Sequence, residues 1–119
     1  MGVFIGSVVL NVSDSERAAE FWSQALGYVA RSNNPEFLHP EKRRSTSATR
    51  LDHSAGAHLH LDRGDKMHID LWVDEGSDLE AEVERLVSLG ATRVEWSYPE
   101  GAQHVVLADT EGNLFCVCR

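Results

Sequence analysis

The sequence has little with which to cross-link itself: its only cysteines are Cys116 and Cys118. Residues two apart on a strand point the same way but lie too far apart for an unstrained disulfide. That excludes a disulfide scaffold and fits reduced thiols in a reducing compartment. Long apolar runs are also missing, and nothing approaches the roughly 20 residues of a membrane helix. The opening MGVFIGSVVL lacks a basic n-region and a cleavage site, and Gly6 stands where a myristoylation signal needs Ser or Thr. A cytoplasmic protein with no membrane partner is expected. Positive charge is scarce, 11 Lys and Arg against 19 Asp and Glu, for a net charge of −8. Such a surface repels phosphate backbones and argues against nucleic acid as a partner. The one basic run, Lys42-Arg43-Arg44, reads as a solvated loop or as a lid that meets an anionic ligand.

What is present is a chain of 119 residues, 42% hydrophobic and 25% charged, enough for one globular domain spanning 1–119. Within it the sequence repeats. SVVLNV (7–12) and HIDLWV (68–73) share their apolar positions at an offset of 61, with Val8, Leu10 and Val12 falling on Ile69, Leu71 and Val73. Both alternate as strands with one buried face. Each is followed by an S-x-x-E capping box, Ser13 with Glu16 and Ser77 with Glu80. Apolar stripes come next: Ala18, Phe21, Trp22, Ala25 and Leu26, then Leu79, Val83, Leu86 and Val87. These predict helices near 14–26 and 78–89, each closed by Leu-Gly, with glycine taking a left-handed C-terminal position. GYVAR and GATRVEW read as returning strands.

The closing segments repeat as well. LDHSAGAHLHL (51–61) aligns with LADTEGNLFCV (107–117) at an offset of 56, each a strand, a glycine-bearing turn and a strand. The fold class is therefore α+β, two βαβββ modules over 1–62 and 66–119. Residues 32–48 read as a long polar loop with room for one short strand. Alternation places Val8, Leu10 and Val12 toward a helix and sends Ser7, Val9 and Asn11 the other way. In the second module the polar face then carries His68, Asp70 and Trp72. His58 and His60 share that kind of face with Leu114, Cys116 and Cys118.

This arrangement resembles the vicinal oxygen chelate superfamily, which includes glyoxalases, bleomycin-resistance proteins and extradiol dioxygenases. The likeness rests on the paired modules, on NVSDSERAAEFWSQALGY early, and late on HIDLWVDE, DLEAEVERLVSLGATRV and VVLADTEGNLFCVC, in the manner of the actinobacterial glyoxalase-like branch. It implies two mixed sheets curled into one cup, helices outside, a homodimer, and a divalent metal held in the cup. Carried over by position, the metal places fall on Ser7, His60, His68 and Cys116. Serine at the first and cysteine at the last depart from the His, Glu or Gln usual there. His60, His68 and Cys116 would suit zinc better than magnesium, which wants oxygen ligands.

Two functions stay open. In one, the metal polarises an oxygen of a small oxygenated molecule for a lyase, isomerase or dioxygenase, and Asp70 moves the proton. In the other, the cup holds no metal and sequesters a cationic, antibiotic-type ligand on Trp72, with Ser7 as a hydrogen-bonding wall. The bland alternatives are that His60 and His68 merely line a cavity, that Cys116 is a small buried apolar residue, and that Asp70 is a solvated charge. Phe21 and Trp22 are expected in the core. His39, His53 and His104 share no spacing and are expected on the surface.

Overall fold

A computed structural model describes residues 2–41 and 56–119. The elements follow the order strand, helix, three strands, twice over. They are β1 (Val3–Asn11), α1 (Ser15–Leu26), β2 (Tyr28–Arg31), β3 (Asn34–Pro40) and β4 (His58–Asp62), then β5 (His68–Val73), α2 (Leu79–Ser88), β6 (Thr92–Arg93), β7 (His104–Ala108) and β8 (Leu114–Cys118). The chain divides into two compact units, residues 6–67 and residues 68–119 joined by the first five.

In the first unit the strands run β2-β3-β4-β1, antiparallel except for the last pair. Val8 lies beside Leu59 and Leu10 beside Leu61 in the parallel ladder. Their shared face packs with Leu38, Ala18, Ala19, Trp22 and Tyr28 into one core. In the second unit the order β6-β7-β8-β5 has the same senses. Ile69 lies beside Phe115 and Leu71 beside Val117. Val73, Val83, Leu107 and Val117 form the buried centre, with Leu79, Leu86 and Val87 of α2 packed on it. Val3 joins this second core, and Asp74 N–H donates to Gly2 C=O at 3.0 Å.

Three local expectations need correction. The helix caps sit one residue later than the capping boxes place them. Asp14 accepts from Arg17 N–H at 3.1 Å and Asp78 from Ala81 N–H at 2.9 Å. An Asp beside a Ser is an equally good cap, so the pair offers two starts one residue apart, and the Asp takes the position. Phe21 is 61% exposed rather than in the core, stacked edge-on against Trp22 at 5.1 Å. Only Trp22 of that pair reaches the sheet. Residues 34–40 form a full strand of seven residues, whereas the GATRVEW segment contributes only two. The positions 42–55 of the basic run and of His53 lie outside the described residues.

Candidate metal centre

In the second unit, the face of the sheet turned away from α2 carries the polar residues. The ladder sets Asp70 beside Cys116 and Trp72 beside Cys118, and across the β7–β8 hairpin Cys116 faces Val106 and Cys118 faces His104. Arg119 N–H donates to Gln103 C=O at 3.1 Å, so that pair is hydrogen-bonded. Alternation along an antiparallel ladder then makes His104–Cys118 and Val106–Cys116 the non-bonded pairs, whose side chains approach most closely. It also turns Val106 N–H away from β8. With β6 ending at Arg93, no strand of the described residues meets that N–H, and the Tyr98 hydroxyl accepts it at 2.8 Å. The Tyr98 ring packs edge-on against His104 at 5.4 Å.

On this face His68, Asp70 and Cys116 each offer a ligand atom, and the three atoms lie within 4.8 Å of one another. His68 Nε2 is 3.4 Å from Asp70 Oδ1, and both side chains are about four-fifths buried. Ligand atoms around a tetrahedral zinc are about 3.3–3.8 Å apart, given bonds of about 2.0–2.3 Å. The nitrogen–oxygen edge already has that length, and the edges to the thiol are no longer than 4.8 Å. One nitrogen, one oxygen and one sulfur fit a borderline ion such as zinc and do not fit magnesium, which takes oxygen. Beside the triangle stands an aromatic wall, with the Phe4 ring edge-on to Trp72 at 5.9 Å.

Ser7 and His60 belong to the first unit. Ser7 is 4% exposed and its Oγ has no hydrogen-bond partner among the described residues. His60 stacks on Phe37 with ring centroids 4.0 Å apart, Arg31 covers the far face of Phe37, and His60 Nε2 lies 3.6 Å from Asp62 Oδ2. Val9 and His60 are ladder partners, as Asp70 and Cys116 are. The sequence offsets of 61 and 56 therefore map one ladder onto the other, residue for residue.

Asp70, expected to move a proton, lies with His68 and Cys116 in the candidate ligand triangle. Two histidines expected on the surface are half-buried on polar sheet faces instead. His104 faces Cys118, and His39 in β3 has its ring 5.6 Å from that of His58. The signal for His104 was available: a hairpin folded about Glu111 sets it opposite Cys118.

The fold recurs in solved structures of low identity. An NAD-dependent benzaldehyde dehydrogenase from Legionella pneumophila superposes with a TM-score of 0.60 at 12% identity, covering 94% of this chain and 96% of that one. A Mn(II)-bound glyoxalase from Novosphingobium aromaticivorans gives 0.53 at 17%, with 98% of this chain on 38% of its own. A homoprotocatechuate 2,3-dioxygenase variant from B. fuscum gives 0.54 at 13%, with 98% of this chain on 32% of its own. At these identities the likeness is one of fold. No curated protein matches the chain. Among the described residues no helix is long and apolar enough to cross a membrane. The model of the glyoxalase-like domain matches residues 7–118, nearly the whole repeat, and the chain belongs to that family.

Proposed function

We propose that this chain is a metal-dependent glyoxalase-like protein that binds a small oxygenated molecule, with His68, Asp70 and Cys116 as ligands of a zinc-class ion. The observation that carries this is the 4.8 Å triangle of one imidazole, one carboxylate and one thiol. Such an ion, when bound, polarises a carbonyl or enediolate oxygen as a Lewis acid. The rest falls to the chain. His68 and Cys116 anchor from neighbouring strands, and Asp70 keeps a second carboxylate oxygen able to take a proton from the bound molecule. Trp72 and Phe4 form an apolar wall that orients the ligand and excludes water. Lyase and isomerase chemistry suit such an ion, whereas dioxygenase chemistry would need a redox-active ion such as iron in its place.

Zinc titration of chelator-treated protein tests the reading. Binding at one equivalent that falls at least tenfold in His68→Ala and in Cys116→Ser supports it. Unchanged uptake in both variants rejects it. His60, which the family resemblance adds to the metal set, is tested by His60→Ala in the same titration. The aromatic wall beside Asp70 favours a second reading, metal-free sequestration of a cationic ligand in a cytoplasmic protein of charge −8. Retained affinity for an aromatic cation after chelation, lost in Trp72→Ala, would put it first. The homodimer carried by the resemblance is rejected if light scattering returns the 13.2 kDa protomer mass at every concentration.

A further inference from the structure

A second cluster lies on the first unit's sheet, on the face away from α1. Three neighbouring strands place Ser7, His58 and His39 in one row. Ser7 is the ladder partner of His58, and Leu38 opposite Leu59 fixes His39 opposite His58. Because Val8, Leu38 and Leu59 go to the helix side, their neighbours Ser7, His39 and His58 share the other. None of the three belongs to the triangle on the second unit.

Three features of the row point to one kind of ligand. His39 Nδ1 lies 3.0 Å from the Pro40 carbonyl oxygen, which can only accept. In the neutral ring the proton is therefore on Nδ1 and the lone pair on Nε2, the tautomer that a backbone carbonyl imposes on metal-bound histidines. The His39 and His58 ring centroids are 5.6 Å apart. Two imidazoles on one zinc, with bonds of about 2.0–2.1 Å, have centroids about 5.2–5.6 Å apart for angles of about 109–122° at the metal. The third feature is the Ser7 hydroxyl, 96% buried by its 4% exposure and without a partner among the described residues, at the end of the row. A buried hydroxyl left unsatisfied is destabilising, and a water or hydroxide carried in on a metal would satisfy it.

We infer that His39 and His58 form a second transition-metal site in the first unit, with Ser7 hydrogen-bonded to a ligand of the ion. The occupant is a divalent d-block cation of the zinc, nickel or copper kind. Imidazole pairs select such ions over magnesium or calcium, and the chain's charge of −8 draws cations rather than anions. Open positions are left for water or for an oxygen of a small molecule.

The test is a zinc titration of the whole chain, read through its imidazole 15N resonances. The expected result is that His39 and His58 shift together with one saturation curve, whatever the response of His68. His39→Ala should abolish the His58 shift and weaken that site at least tenfold while His68 still responds, and Ser7→Ala should weaken it about threefold. Resonances of His39 and His58 that stay unmoved at excess zinc, or that saturate at different concentrations, would overturn the site. The wild-type titration decides even if a variant does not fold. A failure at His68 leaves this site standing, and the reverse also holds, because each has its own resonances.

Discussion

The two modules share a ladder and differ in what they hang on it. Val9–His60 in the first occupies the place of Asp70–Cys116 in the second, and Ser7 the place of His68. The second module thus keeps a nitrogen, an oxygen and a sulfur together. The first replaces the carboxylate with a valine 1% exposed and the first imidazole with a buried serine. It keeps one imidazole, His60, in that row and gathers two more one row away, at His39 and His58. Strand pairing is a backbone property and tolerates such exchange, so the two modules keep one frame while their polar faces differ.

The largest effect should come from breaking that frame. Leu61 and Leu107 are both fully buried, one in each core. Leu61→Ala and Leu107→Ala should each cost about 2–5 kcal/mol in denaturant unfolding. A cost under about 1 kcal/mol in one of them would show that its module is not packed as described. Val9→Asp, which writes the second module's residue into the first, should also cost several kcal/mol, because it puts a carboxylate where the valine is 1% exposed.

The glycines that end the helices sharpen the comparison at lower cost. Gly27 has φ 73° and open space where a Cβ would sit. Gly90 has φ 124°, and an added Cβ would meet Thr110 Cγ2 at 2.9 Å. Gly27→Ala should lose about 1 kcal/mol, and Gly90→Ala about 2–3 kcal/mol, from the same kind of strain plus a contact. Thr110→Ser in the second background should recover part of the difference. Equal losses at both glycines would remove the contact from the account.

The caps should behave alike in the two modules. Asp14→Ala and Asp78→Ala are each expected to lose about 0.5–2 kcal/mol, while Ser13→Ala and Ser77→Ala stay within about 0.5 kcal/mol. The reverse order would restore the serine capping boxes read from the sequence.

Those caps show where the sequence was legible and where it stopped. Period-two alternation fixed which side chains of β1 and β5 face a helix, because a one-residue slip would have reversed the whole strand. The offsets of 61 and 56 carried even the ladder register. Helix starts were blurred because Ser-Asp offers two good caps in succession. Phe21 was misplaced because α1 covers its sheet with a narrower stripe, through Ala18, Ala19 and Trp22. The clusters at His39–His58 and His104–Cys118 depend on cross-strand partners, which periodicity within one segment does not reveal. Asp70 has the wettest side-chain chemistry on its strand, and only its neighbour Cys116 makes it a ligand candidate.

The smallest expected effect concerns a turn described in one module alone. Asp109 sits before β8, and its carboxylate accepts from Asn113 Nδ2 at 3.0 Å and from the Asn113 and Glu111 N–H groups at 2.8 Å each. Led by the side-chain bond from Asn113, these donors favour the ionised form and hold its pKa below the usual carboxylate value of 3.8. A carboxylate whose folded pKa is depressed stabilises the fold above its unfolded pKa, and that contribution is lost as pH falls through the folded pKa. The Tm difference between the native chain and Asp109→Ala should therefore be constant from pH 7 to about 5, shrink below about pH 4 and be smallest at the acid end. Because the group is exposed, solvent screens it and the shift should be no more than a few degrees. The position matching it at an offset of 56 is His53, which cannot form a carboxylate turn of this kind. His53→Ala should accordingly leave the acid limb unchanged, and an equal acid dependence in both variants would mean that the Asp109 turn contributes nothing of its own.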